Sequence, residues 1–178
     1  MESRASKIAL TVLILATIFW LGGLNIRAMV GFNLFEFGTL EYKSNIHPYV
    51  ERSVFALLAQ SSMVINIAYV VVWVSAVAFL KSTRLTFKAN GWLMMSAILF
   101  FMFTPVEVYS AILDVRMWYL DFLGSNDLVE YRTLLGHRLG ALSGVPMIAL
   151  LSYGVIIGLI VFRPMRRPVE AETTNAPS

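Results

Sequence analysis

The sequence predicts an all-α integral membrane protein, an antiparallel four-helix transmembrane bundle with two aromatic-rich loops that face outward. Of its 178 residues, 58% are hydrophobic and 14% charged, and the mean hydropathy is +0.71, values typical of membrane rather than soluble domains. Four long apolar segments and a one-sided distribution of basic residues complete the argument. We expect one transmembrane domain over residues 1–165 and a disordered cytoplasmic tail over residues 166–178.

Four segments are long and apolar enough to cross the membrane as helices. A helix needs roughly 20 apolar residues to span the hydrocarbon layer, and residues 8–29, 54–80, 91–113 and 139–162 reach that length. The first is too long for the apolar core of a signal peptide, so we interpret it as a retained helix. Short connections between the segments favour antiparallel neighbours.

The basic residues predict the orientation, because lysine and arginine near the ends of spans remain on the cytoplasmic side. They flank the first span, fill the connection after the second and follow the fourth, at Arg4, Lys7, Lys81, Arg84, Lys88, Arg163, Arg166 and Arg167. We therefore expect both termini in the cytoplasm and the protein in the plasma (inner) membrane. The net charge of +3 follows from these signals, so no nucleic-acid partner is predicted.

Aromatic residues are dense in the two predicted outer loops, residues 31–52 and 116–132. They are Phe32, Phe35, Phe37, Tyr42, Tyr49, Trp118, Tyr119, Phe122 and Tyr131. Rings at this density are typical of the headgroup level, so we interpret them as an interfacial belt. The alternative is a lid over the outer mouth of the bundle.

Polar side chains within the spans concentrate toward the outer ends. An ionisable group in the membrane costs roughly 2.5–3.5 kcal/mol on insertion scales and tends to face the bundle interior. Counting helix rise from the cytoplasmic ends places six candidates in the outer third, at Arg27, Gln60, Glu107, Asp114, His137 and Arg138. The inner halves are nearly apolar, which disfavours a conducting pore. The pattern predicts a charge-paired pocket that opens outward.

One face of the third helix is acidic. Its polar residues recur at intervals of three, four and seven, at Glu107, Ser110, Asp114 and Asp121. We therefore expect this helix to continue to about residue 123, where it either projects outward or bends at Pro105. Asp121 is interpreted as part of a solvated face. Glu107 lies deeper and needs a partner, which Arg27 or Arg138 could supply.

Glycines recur every four residues where the fourth span is predicted to begin and again lower down, at Gly136, Gly140, Gly144, Gly154 and Gly158. Such stripes let a neighbouring backbone approach closely, so we expect them to pack against other helices. The packing partner could also be another membrane protein or a second copy of the chain. His137 and Arg138 lie beside the first stripe, at the predicted opening of the fourth span.

The candidate residues are compatible with three roles. In the structural role, His137 and Arg138 form ion pairs that cap the bundle. In the binding role, Arg27, Gln60, Asp114 and Arg138 hold a polar or anionic ligand. In the enzymatic role, Glu107 or His137 acts as acid or base on a lipid headgroup or isoprenoid phosphate that the arginines bind.

No cofactor or metal is predicted. Bis-histidine haem ligation would bring His47 from the outer loop to His137, and a metal site from Glu107, Asp114 and His137 lacks a recognised ligand spacing. The chain has no cysteine and no nucleophile or phosphate-loop motif. We therefore favour an accessory or binding subunit in the lipid bilayer, with the membrane-embedded enzyme as the alternative.

Overall fold

The computed structural model describes residues 4–39, 41–140 and 145–165, and its secondary structure is helical. The helices are α1 Arg4–Phe32, α2 Pro48–Ser82, α3 Gly91–Phe122, α4 Leu128–Gly140 and α5 Val145–Phe162. All except α4 are long and apolar enough to cross a membrane, so the predicted class, an all-helical protein with four candidate spans, is confirmed. The predicted tail, residues 166–178, lies outside the described residues.

The chain divides into two compact units. The first contains Met1–Arg84 and Pro105–Pro146, and the second contains Leu85–Thr104 and Met147–Ser178. Helix α3 contributes its first half to the second unit and its second half to the first. It runs unbroken through Pro105 to Phe122, so the expectation that this helix extends beyond residue 113 is confirmed.

In the first unit, α1 and α2 pack side by side in opposite directions. The ring of Trp20 lies 4.9 Å from that of Tyr69, and a Cβ atom added to Gly23 would lie 2.8 Å from Cγ1 of Ile65. Later residues of α1 therefore contact earlier residues of α2. Because Gly23 has no side chain, the two helices approach closely at this point.

A second cluster of buried side chains fills the first unit near the end of α1, and we call it the cap core. It joins the first loop, the early turns of α2, the last turns of α3 and α4, through Leu34, Phe35, Phe55, Leu58, Ala59, Leu113, Met117, Tyr131, Leu134 and Leu135. Phe35 and Tyr131 are 3% and 0% exposed, so their assignment to an interfacial belt is wrong. Phe37, by contrast, is fully exposed.

Residues 128–140 form helix α4. The sequence pattern predicts a loop here, followed by the start of the fourth span. Helix α3 is followed by Gly124, whose φ of +68° is the left-handed conformation that glycine adopts readily after a helix. Asp127 then caps α4, since its Oδ1 accepts the N–H groups of Val129 at 3.0 Å and Glu130 at 3.2 Å. The last apolar helix begins at Val145 rather than at residue 139, with residues 141–144 outside the described range.

Helix α2 begins at Pro48, almost two turns earlier than residue 54. Proline is favoured in the first turn of a helix, where its missing N–H is not needed. Nδ1 of His47 accepts the N–H of Tyr49 at 3.3 Å, which caps the helix. This start places Glu51 and Arg52 on a rigid helix instead of a loop.

The second unit is held by aromatic and backbone contacts. The rings of Phe103 and Tyr153 meet edge to face at 6.4 Å, and the guanidinium of Arg163 lies 5.7 Å from the centre of the Trp92 ring. The hydroxyls of Ser96 and Ser152 each donate to a carbonyl one turn earlier in their own helix. These polar groups therefore need no partner from another helix.

The glycine stripes do not pack as the pattern predicts. A Cβ atom added to Gly136, Gly140, Gly154 or Gly158 would meet no atom within 4 Å among the described residues. The prediction that these positions hold helices of the same chain together is therefore wrong, and Gly144 lies outside the described range. Close approaches occur instead at Gly23 and Gly91, where no four-residue repeat marks the position.

Candidate functional site

Three of the six candidate residues meet at one carboxylate. Arg27 donates from Nη1 to Oδ2 of Asp114 at 2.6 Å and from Nη2 to Oδ1 at 2.5 Å. Arg138 donates from Nε to the same Oδ1 at 2.7 Å. We call this group the arginine–aspartate triad. It joins α1, α3 and the last turn of α4.

The triad is largely enclosed by protein. The side chain of Asp114 is 1% exposed, that of Arg27 is 4% and that of Arg138 is 14%. Charge-assisted hydrogen bonds of this bidentate kind are the strong ones, and burial reduces the competition from water. Removal of the Asp114 carboxylate, or of the two guanidinium groups, would therefore leave the opposite charge buried without its partner.

A second ion pair and its neighbours lie beside the cap core. Arg52 pairs with Asp121 at 2.9 Å, donates from Nε to the carbonyl of Ser125 at 2.9 Å, and stacks 4.9 Å from the ring centre of Tyr131. The side chain of Asp121 is only 13% exposed. The interpretation of Asp121 as a solvated residue is wrong, because α2 extends far enough to bring an arginine to it.

A third pair joins the first turn of α2 to α4. Arg132 donates from Nε and Nη2 to the two carboxylate oxygens of Glu51, at 2.6 and 2.7 Å. Its guanidinium also lies 5.4 Å from the ring centre of Tyr42, whose hydroxyl donates to the carbonyl of Arg132 at 2.9 Å. The first loop, α2 and α4 are thus linked through one arginine.

The titration of groups near these pairs reflects their environment. Burial, followed by the charge of Glu51, raises the pKa of the Tyr42 phenol. Burial also raises the pKa of Tyr131. The hydrogen bonds to Glu51 raise the pKa of Arg132 above its ordinary value. The environment therefore favours neutral phenols and a charged guanidinium.

The other three candidates are outside the triad's hydrogen bonds. Gln60 is exposed and its Nε2 donates to Asp121 at 3.4 Å. Glu107 is half-buried on α3, seven residues before Asp114. His137 is exposed in the last turn of α4, a helix that is not itself one of the four candidate spans.

No group of three or more His, Asp or Glu side chains in the described part of the chain could hold a metal ion. Asp114, the carboxylate at the centre of the candidate set, is already engaged by two cations. His47 serves as the cap of α2. A hollow of about 670 Å³ lies on the first loop instead, lined by Phe32, Asn33, Phe35, Glu36, Phe37, Gly38, Thr39 and Lys43.

Sequence reasoning missed the Arg52–Asp121 and Glu51–Arg132 pairs because it placed Glu51, Arg52 and Arg132 in loops. The signal for α4 is present in the sequence DLVEYRTLL, where Asp127 and Glu130 have the spacing of a helix-capping box. Tyr131, Leu134 and Leu135 then follow at the spacing of a buried helical face. Nothing local in the sequence indicates that Glu51 pairs with Arg132, 81 residues away.

Neither a protein-family model, nor a curated protein sequence, nor a solved structure matches this chain. The site therefore has to be interpreted from its own geometry. That geometry consists of a buried carboxylate shared by two arginines, two flanking ion pairs and a small core that joins α4 to the ends of the longer helices.

Proposed function

We propose that this chain is an accessory, non-catalytic subunit of the plasma (inner) membrane, with four spans and a charge-paired outer cap that presents a binding surface. The observation that carries the proposal is the set of hydrogen bonds that Arg27 and Arg138 make. Both donate to Asp114, as expected of groups that hold helices together. The cap is then a rigid platform for a ligand or a partner protein.

The geometry favours this proposal over the enzymatic one. Catalysis on a phosphate would need an acid or base within hydrogen-bonding reach of the substrate that the arginines hold. His137 is exposed, and the hydrogen bonds of both arginines within the described chain go to Asp114. No observation on the described residues favours an acid–base pair at this site.

The proposed orientation has cytoplasmic termini and an outer cap, and it rests on the distribution of basic residues. The absence of cysteine from the sequence allows a direct test by single-cysteine labelling in intact cells. We expect a membrane-impermeant maleimide to label Thr39→Cys in the first loop and to leave Thr86→Cys unlabelled until the cells are opened. The reverse pattern would overturn the orientation.

We further propose that the open glycine positions of α5 face a membrane partner or a second copy of the chain. Helix interfaces in membranes use small residues because they allow close backbone approach, and Gly154 and Gly158 leave such space. The test is disulfide cross-linking of Gly154→Cys in native membranes, with Ile160→Cys as the matched control, because Ile160 is exposed and lies on a different face of α5. A covalent dimer, or a covalent complex of defined larger mass, supports the proposal. Equal cross-linking of both variants, or none, contradicts it.

A further inference from the structure

We propose that the arginine–aspartate triad binds a phosphate-bearing anion, whose oxygens accept hydrogen bonds from Arg138 and Arg27 on the side away from Asp114. The inference rests on the proposed function, since it names the ligand class of the same cap. It is carried by three features of the triad, namely its unused donors, its fixed geometry and its uncompensated charge.

The donors at the triad outnumber the acceptors. Each guanidinium has five N–H groups, while Asp114 accepts three of the bonds described above. Nε of Arg27 is buried and has no hydrogen-bond partner in the described part of the chain. Arg138 donates from Nε alone among the described residues, which leaves its Nη nitrogens for a further acceptor. A buried donor without an acceptor is unfavourable.

The geometry of the guanidinium brings the unused donors together. In arginine, Nη2 lies on the same edge as Nε, so the second N–H of Nη2 is parallel to the N–H of Nε. Nη2 of Arg27 and Nε of Arg138 both donate to Oδ1 of Asp114. The free edge of Arg27 is therefore on the side of the carboxylate where Arg138 lies. Such an edge matches two oxygens of one phosphate group.

The positive charge of the triad is only partly compensated. Two guanidinium cations share one carboxylate, which leaves a formal charge of +1 in a nearly enclosed site. Glu51 and Asp121 are engaged by Arg132 and Arg52. An additional anion at Arg138 would compensate this charge.

The side chain of Arg138 is the route to the site. It is 14% exposed, whereas Arg27 and Asp114 are 4% and 1% exposed. An anion therefore meets the unused Nη nitrogens of Arg138 first, and the free edge of Arg27 lies on the same side of the carboxylate. The headgroup of an anionic lipid and free inorganic phosphate are two sources of the same phosphate chemistry, and the arms of the experiment distinguish them.

The test uses the full chain, purified in detergent and offered equal amounts of phosphatidylglycerol and phosphatidylcholine, with retained lipid counted by native mass spectrometry. Arg138→Gln removes the charge and the planar fork, and Arg138→Lys keeps only the charge. Arg116→Gln is the matched control, because Arg116 is exposed on α3 two residues from Asp114. A parallel arm measures the thermal midpoint of each variant with and without inorganic phosphate, and circular dichroism confirms that each is folded.

We expect the unaltered chain and Arg116→Gln to retain phosphatidylglycerol preferentially. Arg138→Gln should bind it roughly tenfold more weakly or worse, with Arg138→Lys between them, because charge-assisted hydrogen bonds are lost. Protection by inorganic phosphate without lipid retention would identify a free anion as the ligand. Equal retention by Arg138→Gln and the unaltered chain, or equal loss in Arg116→Gln, overturns the proposal. The cysteine labelling and cross-linking results stand apart from this outcome and decide the proposed function separately.

Discussion

The two compact units of the chain bury their side chains in different ways. The first contains the cap core, with ten side chains that are at most 7% exposed, together with four ion pairs among its described residues. The second has ring contacts and leaves much of α5 exposed, including Leu151 at 67% and Val155 at 54%. In a bilayer, lipid and the proposed partner helix would cover such a surface. Helix α1 in the first unit has a similar surface, where Phe19 is 75% exposed, so the difference between the units lies in the cap core and its ion pairs.

Among variants that test this comparison, the largest loss of stability is expected from substitution of Asp114. Asp114→Asn removes the charge that two buried arginines share, and an uncompensated buried ion costs about 3–5 kcal/mol. We expect a loss of that size in the free energy of unfolding, measured by denaturant titration in detergent. Glu36→Gln, an exposed change of the same kind, should alter stability by less than about 0.5 kcal/mol. Similar values for the two variants would contradict the structural importance of the triad.

Deletion of a buried ring is expected to come next. Phe55 is 0% exposed in the cap core and stacks 5.2 Å from Tyr131, so Phe55→Ala should lower the free energy of unfolding by about 3 kcal/mol. Leu151→Ala in the second unit removes an exposed side chain and should cost less than about 0.5 kcal/mol. The same titration measures both. If Leu151→Ala were equally destabilising in detergent, Leu151 would be buried in the solubilised protein, and the contrast between the two units would be wrong.

The apolar part of the fold could be predicted from the sequence because hydrophobic length alone predicts a spanning helix. Four candidate spans follow from that argument, and the structure has them. The cap could not be obtained in the same way. Its helix α4 has 13 residues, too few to span, and it is defined by its cap at Asp127 and by burial of Tyr131 and Leu134 against residues distant in sequence.

The sequence predicts which residues belong to the site better than it predicts which of them pair with one another. Depth and the cost of burying charge select Arg27, Asp114 and Arg138 as candidates, and the structure joins these three. The same argument also selected His137, which is exposed. A charge that is costly in lipid is ordinary at the end of a short amphipathic helix, and only the three-dimensional position of α4 distinguishes the two cases.

A smaller effect is expected at the contact between α1 and α2. A Cβ atom at position 23 would lie 2.8 Å from Cγ1 of Ile65, whereas one at position 22 would meet nothing within 4 Å in the described structure. Gly23→Ala should therefore cost about 1–2 kcal/mol through overpacking. Gly22→Ala should be neutral or stabilising, because alanine favours the helix. Thermal midpoints of the two variants in one detergent check this ordering. Equal shifts would mean that the helices separate easily at this point.

The smallest effect, and the one that depends on pH, is expected at Tyr131. Its hydroxyl is buried without a hydrogen-bond partner among the described residues, so Tyr131→Phe should leave stability unchanged or raise it by up to about 1 kcal/mol at neutral pH. Burial raises the pKa of this phenol from its ordinary 10.0, which means that the folded state favours the neutral form. Its contribution to stability is therefore complete below pH 10.0 and declines as the pH rises above that value.

Comparison of the unaltered chain with Tyr131→Phe isolates this alkaline effect. Stability of the unaltered chain should fall more steeply above pH 10.0 than that of Tyr131→Phe, with the remaining slope due partly to Tyr42, whose pKa burial also raises. Tyr119→Phe is the control, since Tyr119 is 55% exposed and its loss should leave the slope unchanged. Thermal midpoints measured from pH 8 to 11 in steps of about half a unit would resolve the three curves around the ordinary phenol pKa. Parallel curves for all three proteins would show that water reaches Tyr131 in the folded state, and the cap would then lack the dry interior that distinguishes it from the second unit.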